Sequence, residues 1–106
     1  MSPARRQPGA FTEQVFAVVE SIPPGTVMTY GDVAAVLGSH GAQSVGNIMS
    51  RSGEGIPWWR VVQASGRVAK GHEDEALALL RREGTPLVEG ADGWRVQLSH
   101  ARHSPE

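Results

Sequence analysis

There is no cysteine in this 106-residue chain. A thiolate nucleophile, a disulfide framework and a Cys-based zinc site are therefore excluded. Aromatic residues are few, three Trp, two Phe and one Tyr, and neither sign of charge is in surplus, with 10 Lys and Arg against 11 Asp and Glu. A net charge of −1 argues against holding nucleic acid by bulk charge alone. No apolar run approaches the roughly 20 residues of a membrane-spanning helix, and the opening Met1-Ser-Pro-Ala-Arg-Arg-Gln-Pro-Gly9 lacks the apolar stretch of a secretion signal. The expectation is a cytoplasmic protein with no membrane partner, made of one small domain with a modest core.

The charges that are present are unevenly placed. Residues 40–72 hold Arg51, Arg60, Arg67 and Lys70 against Glu54, whereas residues 73–92 hold six acids against Arg81 and Arg82. A basic middle beside an acidic segment fits a localised anion-binding face as well as it fits an ordinary mixed surface. If all four central cations met phosphates, the logarithmic salt slope of DNA binding would be about −3.6, a modest hold.

Residues 1–10, with three Gly and Pro among them, read as a disordered leader, 11–98 as the domain, and 99–106 as a frayed tail. Thr12 is placed as the N-cap of a first helix, with Phe11 and Phe16 as a hydrophobic staple, and Pro23-Pro24-Gly25 stops it. After an extended Thr26-Val27-Met28, Thr29-Tyr-Gly-Asp32 resembles a capping box that opens a second helix, with Gly38 as its left-handed stop. A third helix follows, with Ala42, Val45, Ile48 and Met49 as its apolar stripe and Gln43, Ser44, Asn47 and Arg51 on its other faces. Two short helices around a Gly turn read as a helix-turn-helix whose polar side faces DNA. Glu73 to Arg82 reads as a further helix, and Leu87 to Leu98 as a hairpin wing. The fold class expected is mainly α with a small β component, a winged helix-turn-helix-like DNA-binding domain.

Metal and triad chemistry find no footing. His40, His72, His100 and His103 show no metal-ligand spacing on a common element, and no serine-hydrolase motif is present. No cofactor is expected.

The order of motifs carries more. Phe11-Thr-x-x-Val15, Ile22-Pro-x-Gly25-x-Val-x-Thr-Tyr-Gly31, Val33-Ala34, Val45-Gly46, Pro57-Trp-Trp-Arg-Val-Val62, Gly66 and Leu79-Leu-x-x-Glu-Gly84 follow one another at characteristic spacings. From Phe11 to Gly84 the chain resembles the DNA-binding domain of the O6-alkylguanine-DNA alkyltransferase (methylated-DNA-protein cysteine methyltransferase) family. In active members the central block reads Pro-Cys-His-Arg and the Cys accepts the alkyl group. Here Trp58 occupies the Cys place and Trp59 the His place. That replacement resembles the alkyltransferase-like proteins, which bind alkylated guanine in DNA without repairing it and flag it for nucleotide excision repair. Chemistry agrees, because indole is a very poor nucleophile for dealkylation.

The resemblance implies that Tyr30 presses on the phosphate beside a flipped nucleotide, and that Trp58, Met49, Val61, Val62 and Lys70 surround the base, with Lys70 also placed to meet a phosphate. It makes Arg60 structural, and assigns Glu83 to the relay that activates the Cys. With Cys and His both gone, Glu83 is expected to hold structure, by bonding loop backbone or pairing with Arg60 or Arg82. Gln43 stands where the family commonly inserts an Arg into the stack, and it lacks the charge and fork of Arg. The DNA-binding set is thus Tyr30, Gln43, Ser44, Asn47, Arg51 and Lys70, no residue is catalytic, and the implied partners are duplex DNA with alkylated guanine and nucleotide excision repair proteins, met as a monomer. Two other readings stay open: a winged helix-turn-helix regulator or architectural protein without lesion preference, and a protein-interaction module.

Overall fold

Helix α1 spans Gly9–Glu20, starting one turn earlier than the expected cap at Thr12, which lies inside it. Phe11 and Phe16 both pack on the core cluster from within the helix rather than bracketing its start. Val15 and Val19 are fully buried four residues apart, and Ile22 continues their line beyond the last turn. In the computed structural model the described residues are 9–38, 41–52 and 55–104. Of the leader expected over residues 1–10, residues 1–8 lie outside them, as does the turn expected at Ser39-His40, while Gly9 and Ala10 open α1 instead.

Strand β1 (Met28–Thr29) follows the Pro-Pro-Gly stop and runs directly into helix α2 (Tyr30–Val36). The junction is a capping box: Asp32 N–H donates to Thr29 Oγ1 at 3.0 Å, and Thr29 N–H donates to Asp32 Oδ2 at 3.1 Å. Each bond satisfies a backbone donor that the helix start would otherwise orphan. Gly38, with φ of +63°, ends the segment in the left-handed region that glycine tolerates. Helix α3 (Ala42–Ser52) then packs across α2. Val45 and Met49 are buried and Ile48 packs at the edge of the core, while Ala42, expected in the same stripe, is exposed because the stripe begins one turn later.

A short 3-10 turn at Trp58–Arg60 leads into strand β2 (Val61–Val62), which pairs in parallel with β1 in the register Met28 to Val61 and Thr29 to Val62. The chain turns at Gly66, where φ is +91° and a Cβ would stand 2.5 Å from the Val96 carbonyl oxygen, so this crossing requires glycine. Arg67-Val68-Ala69 joins no strand, although Gln63 N–H donates to the Arg67 carbonyl at 2.8 Å. Helix α4 (Glu73–Arg82) follows, with Ala76 and Leu80 fully buried. Strands β3 (Leu87–Gly90) and β4 (Gly93–Val96) form the antiparallel wing, closed by Ala91-Asp92.

The frayed tail is corrected. Leu98–Ala101 form a short helix, α5, with Ala101 buried. Val27 N–H donates to the Ala101 carbonyl at 2.9 Å, and His103 N–H donates to the Val27 carbonyl at 2.8 Å. Val27 lies outside the β1–β2 register, so its backbone groups are open, and residues 101–103 satisfy them. Arg102 adds a two-point ion pair to Asp32, Nε to Oδ2 at 2.9 Å and Nη2 to Oδ1 at 2.6 Å.

Two apolar clusters result, one among α1, α2, α3 and β1, the other among β2, α4, the wing and α5. Trp58 packs against both. The molecule is mainly helical with a small sheet component, and the α2–α3 pair with its wing matches the expected class. Among the described residues no helix is long and apolar enough to cross a membrane.

Candidate functional site

Trp58 stands at the seam between the two clusters and walls a cavity of about 730 Å³, within the roughly 300–1,000 Å³ common for small-molecule sites. Helix α2 supplies Tyr30, and α3 supplies Gly46, Met49, Ser50 and Arg51. The stretch after β2 supplies Gln63, Ala69 and Lys70, and the start of α4 supplies His72 and Glu75. Trp58 is set by the turn that carries it: its N–H donates to the Ile56 carbonyl at 2.7 Å, and Arg60 N–H donates to the Pro57 carbonyl at 3.1 Å. Its ring meets Trp59 edge to face at 5.7 Å between centroids, and the His72 imidazole at the same distance.

Tyr30 is half-buried, and that burial raises its phenol above the usual tyrosine range, so it stays a neutral hydrogen-bonding group at physiological pH. Gly46, Met49 and Ser50 lie at i, i+3 and i+4 on one face of α3, so one helical stripe lines the cavity. The exposed Gln43 and Asn47 lie outside the cavity, on a ridge that continues through Arg51 at helical spacing to its mouth, with half-buried Ser44 beside them. The DNA-facing set is thus divided: Tyr30, Arg51 and Lys70 line the cavity, while Gln43, Ser44 and Asn47 do not.

Next to Trp58 in sequence, Trp59 and Arg60 enter a half-buried polar strut. Arg60 Nε lies 3.0 Å from Glu83 Oε1, and its Nη2 reaches Oε2. Its Nη1 donates to the Ile22 carbonyl at 2.9 Å, tying the end of α1 to the end of α4. Trp59 Nε1–H donates to Glu83 Oε2 at 3.0 Å, and the Arg60 guanidinium lies 5.5 Å from the centre of the Trp59 ring. Burial is the largest single influence on Glu83 and opposes its ionisation, but the hydrogen bonds from Arg60 and Trp59, with that charge, prevail and hold it below the usual carboxylate range. The two positions that the resemblance gives to a proton relay, Trp59 and Glu83, are therefore joined as a support, and neither lines the cavity.

Val61 and Val62, expected around the base, are corrected to core. Both are 0% exposed, paired in β1–β2, and neither lines the cavity. Gln63, the next residue, takes the cavity position, its Nε2 donating to the Val68 carbonyl at 2.9 Å. Sequence reasoning missed Gly46, Ser50, Gln63, Ala69, His72 and Glu75. Helical spacing from Met49 carries the signal for Gly46 and Ser50, Gln63 follows directly on β2, and Ala69, His72 and Glu75 arrive only after the chain turns at Gly66. Among the described residues no group of three acidic, His or Cys side chains is placed to hold a metal ion.

Comparison with known proteins agrees with this geometry. Residues 10–85 match the 6-O-methylguanine DNA methyltransferase DNA binding domain family. A DNA base-flipping protein of Vibrio parahaemolyticus is 38% identical over 84 residues, covering 74% of this chain and 84% of that protein. The DNA base-flipping protein of Escherichia coli is 39% identical over 84 residues, covering 76% of this chain, and the match spans 62% of that relative's length. S. pombe Atl1, solved in complex with damaged DNA containing O6-carboxymethylguanine, superposes with a TM-score of 0.80 at 26% identity over 99% of this chain and 100% of that one. A variant of the M. tuberculosis O6-methylguanine methyltransferase reaches a TM-score of 0.63 at 27% identity, over 79% of this chain and 54% of the other. With the whole motif series in place and tryptophan where the acceptor cysteine would stand, the chain belongs to the 6-O-methylguanine DNA methyltransferase DNA-binding-domain family, on its alkyltransferase-like side.

Proposed function

We propose that this protein is a sensor of O6-alkylguanine in duplex DNA. The damaged nucleotide is turned out of the helix into the cavity beside Trp58, no alkyl group is transferred, and the held lesion is passed to nucleotide excision repair. The observation that carries the reading is Trp58 itself, an indole at the place of the family's alkyl acceptor, walling a cavity with room for a base. A base inside a duplex is inspected by a pocket only after extrusion, which costs a few kcal/mol. Stacking on an aromatic ring returns roughly 1–3 kcal/mol of that. Further support comes from relatives named DNA base-flipping proteins and from the likeness to Atl1 on O6-carboxymethylguanine DNA. Tyr30, Arg51 and Lys70 at the cavity mouth supply the phosphate contacts, Gln43 enters the stack, and the protein acts as a monomer on chromosomal DNA in the cytoplasm.

The test is a fluorescence-anisotropy titration of two duplexes that differ only by O6-methylguanine in place of guanine. A preference of tenfold or more, about 1.4 kcal/mol, is expected. Equal binding moves the assignment to a winged helix-turn-helix protein without lesion preference, and no binding at low salt moves it to a protein-interaction module.

A further inference from the structure

His72 holds the N-cap position of α4, yet its side chain makes no capping bond. Ser, Thr, Asp and Asn prevail at that place because their oxygen accepts a helix N–H, and a residue that makes no such bond forgoes that stabilisation. The imidazole of this exposed residue instead packs against Trp58, 5.7 Å between ring centres and inclined at 61°, and lines the cavity. The helix start is supported by other means, since the Glu73 carboxylate accepts the Gly71 N–H at 3.1 Å and three acids occupy the first turn. The ring is thus free of duty to its own helix and forms the second aromatic wall of the cavity.

Its chemistry matches what distinguishes the lesion. Guanine carries a hydrogen on N1, which is a donor. Alkylation at O6 removes that hydrogen, so N1 becomes an acceptor and the base edge loses its central donor. Discrimination needs a protein donor aimed at that edge, because a site built to pair one polarity leaves a group unpaired with the other. Histidine joins a flat ring to an N–H, as Trp58 does through its indole, and Tyr30 adds a hydroxyl, whereas Met49 gives contact alone.

We propose that His72 is a specificity-determining residue of this pocket: its ring completes an aromatic corner with Trp58, and its N–H donates to N1 of an extruded O6-alkylguanine. The inference rests on the lesion-sensing reading and names the base edge that is read. Lys70 and Arg51 also donate at the cavity mouth, but as long side chains without a ring contact to Trp58 they fit phosphate better than a base edge.

The experiment titrates the wild type, His72→Phe, His72→Gln and His72→Ala with duplexes carrying guanine, O6-methylguanine or 2-aminopurine at one position. 2-Aminopurine has an acceptor N1 and no O6 substituent, and its fluorescence rises when it leaves the stack. The wild type is expected to favour both O6-methylguanine and 2-aminopurine over guanine. His72→Phe keeps the wall without the donor, so its preference for each modified base over guanine should fall at least fivefold. His72→Gln keeps a donor and should retain more of the preference than His72→Phe, and His72→Ala should lose both preference and overall hold. Full preference in His72→Phe overturns the proposal, as does a wild type that favours O6-methylguanine but treats 2-aminopurine as guanine. A wild type without any preference overturns the lesion reading first, and this inference with it.

Discussion

Trp58 touches both apolar clusters and also walls the cavity, so changing it tests two things that a careful choice of variant separates. Trp58→Ala is expected to abolish most of the preference for O6-methylguanine while leaving most of the affinity for undamaged duplex, measured by competition titration. An unchanged preference removes Trp58 from the base pocket. Trp58→Phe, which fills more of the seam, should keep the urea midpoint close to wild type with an intermediate preference. Glu83 is purely a support by comparison. Glu83→Gln leaves the Arg60 guanidinium, 13% exposed, without its counter-charge, at an expected cost of about 2–3 kcal/mol in urea unfolding at pH 7. Because the folded protein holds Glu83 below the ordinary carboxylate value of 4.5, this stabilisation is present above that value and is lost as pH falls through the lower folded value. The wild type should therefore lose stability on acidification more steeply than Glu83→Gln. At this scale the sequence is most readable where a residue sits inside a motif, as Trp58, Tyr30 and Met49 do. His72 and Glu75 are not readable there, since they reach the cavity through a reversal of the chain.

Helix α2 and the residues that clasp its start show what an element depends on. Asp32 closes the capping box and grips Arg102 through the same carboxylate, and the hydrogen bond from Arg102 is the main reason it is held below its usual range. Asp32→Asn keeps an acceptor for Thr29 N–H but gives up the ion pair, which is half in solvent on the Arg102 side, so a loss of only about 0.5–1 kcal/mol is expected. Asp32→Ala removes the box as well, for about 1–2 kcal/mol. Thermal unfolding of both variants separates cap from clasp, and equal losses would show that the ion pair alone matters. The box is legible from four adjacent residues because capping is local. The clasp is not, because it joins Asp32 to a segment 70 residues away. The same distinction explains the tail: Leu98 and Ala101 look unremarkable until the open backbone of Val27 gives residues 101–103 something to bind.

For the molecule as a whole, the folded charge map revises the count of cations available to DNA. Arg60 is spent on Glu83, and Arg67 Nη1 pairs with Asp92 at 2.7 Å. Of the four central cations, Arg51 and Lys70 remain at the cavity mouth. The logarithmic salt slope for duplex binding is accordingly expected near −1.8 rather than −3.6, read from affinities between about 50 and 200 mM salt. A slope of about −2.7 would place Arg67 on a phosphate and break its pairing with Asp92. The class of fold is legible because helix caps, the Gly stops and the wing turn are local signals, whereas the parallel pairing of Met28 with Val61 has no such signal. That pairing has a kinetic side. Parallel strands need a long crossover between them, and here the crossover contains α2 and α3. Closing so long a loop is slow relative to forming local contacts, and Trp58 opens the 3-10 turn that leads into β2, whose residues make the closure. The aromatic wall, carried on the turn before β2, is therefore expected to reach its place after the local contacts of α2 and α3 have formed.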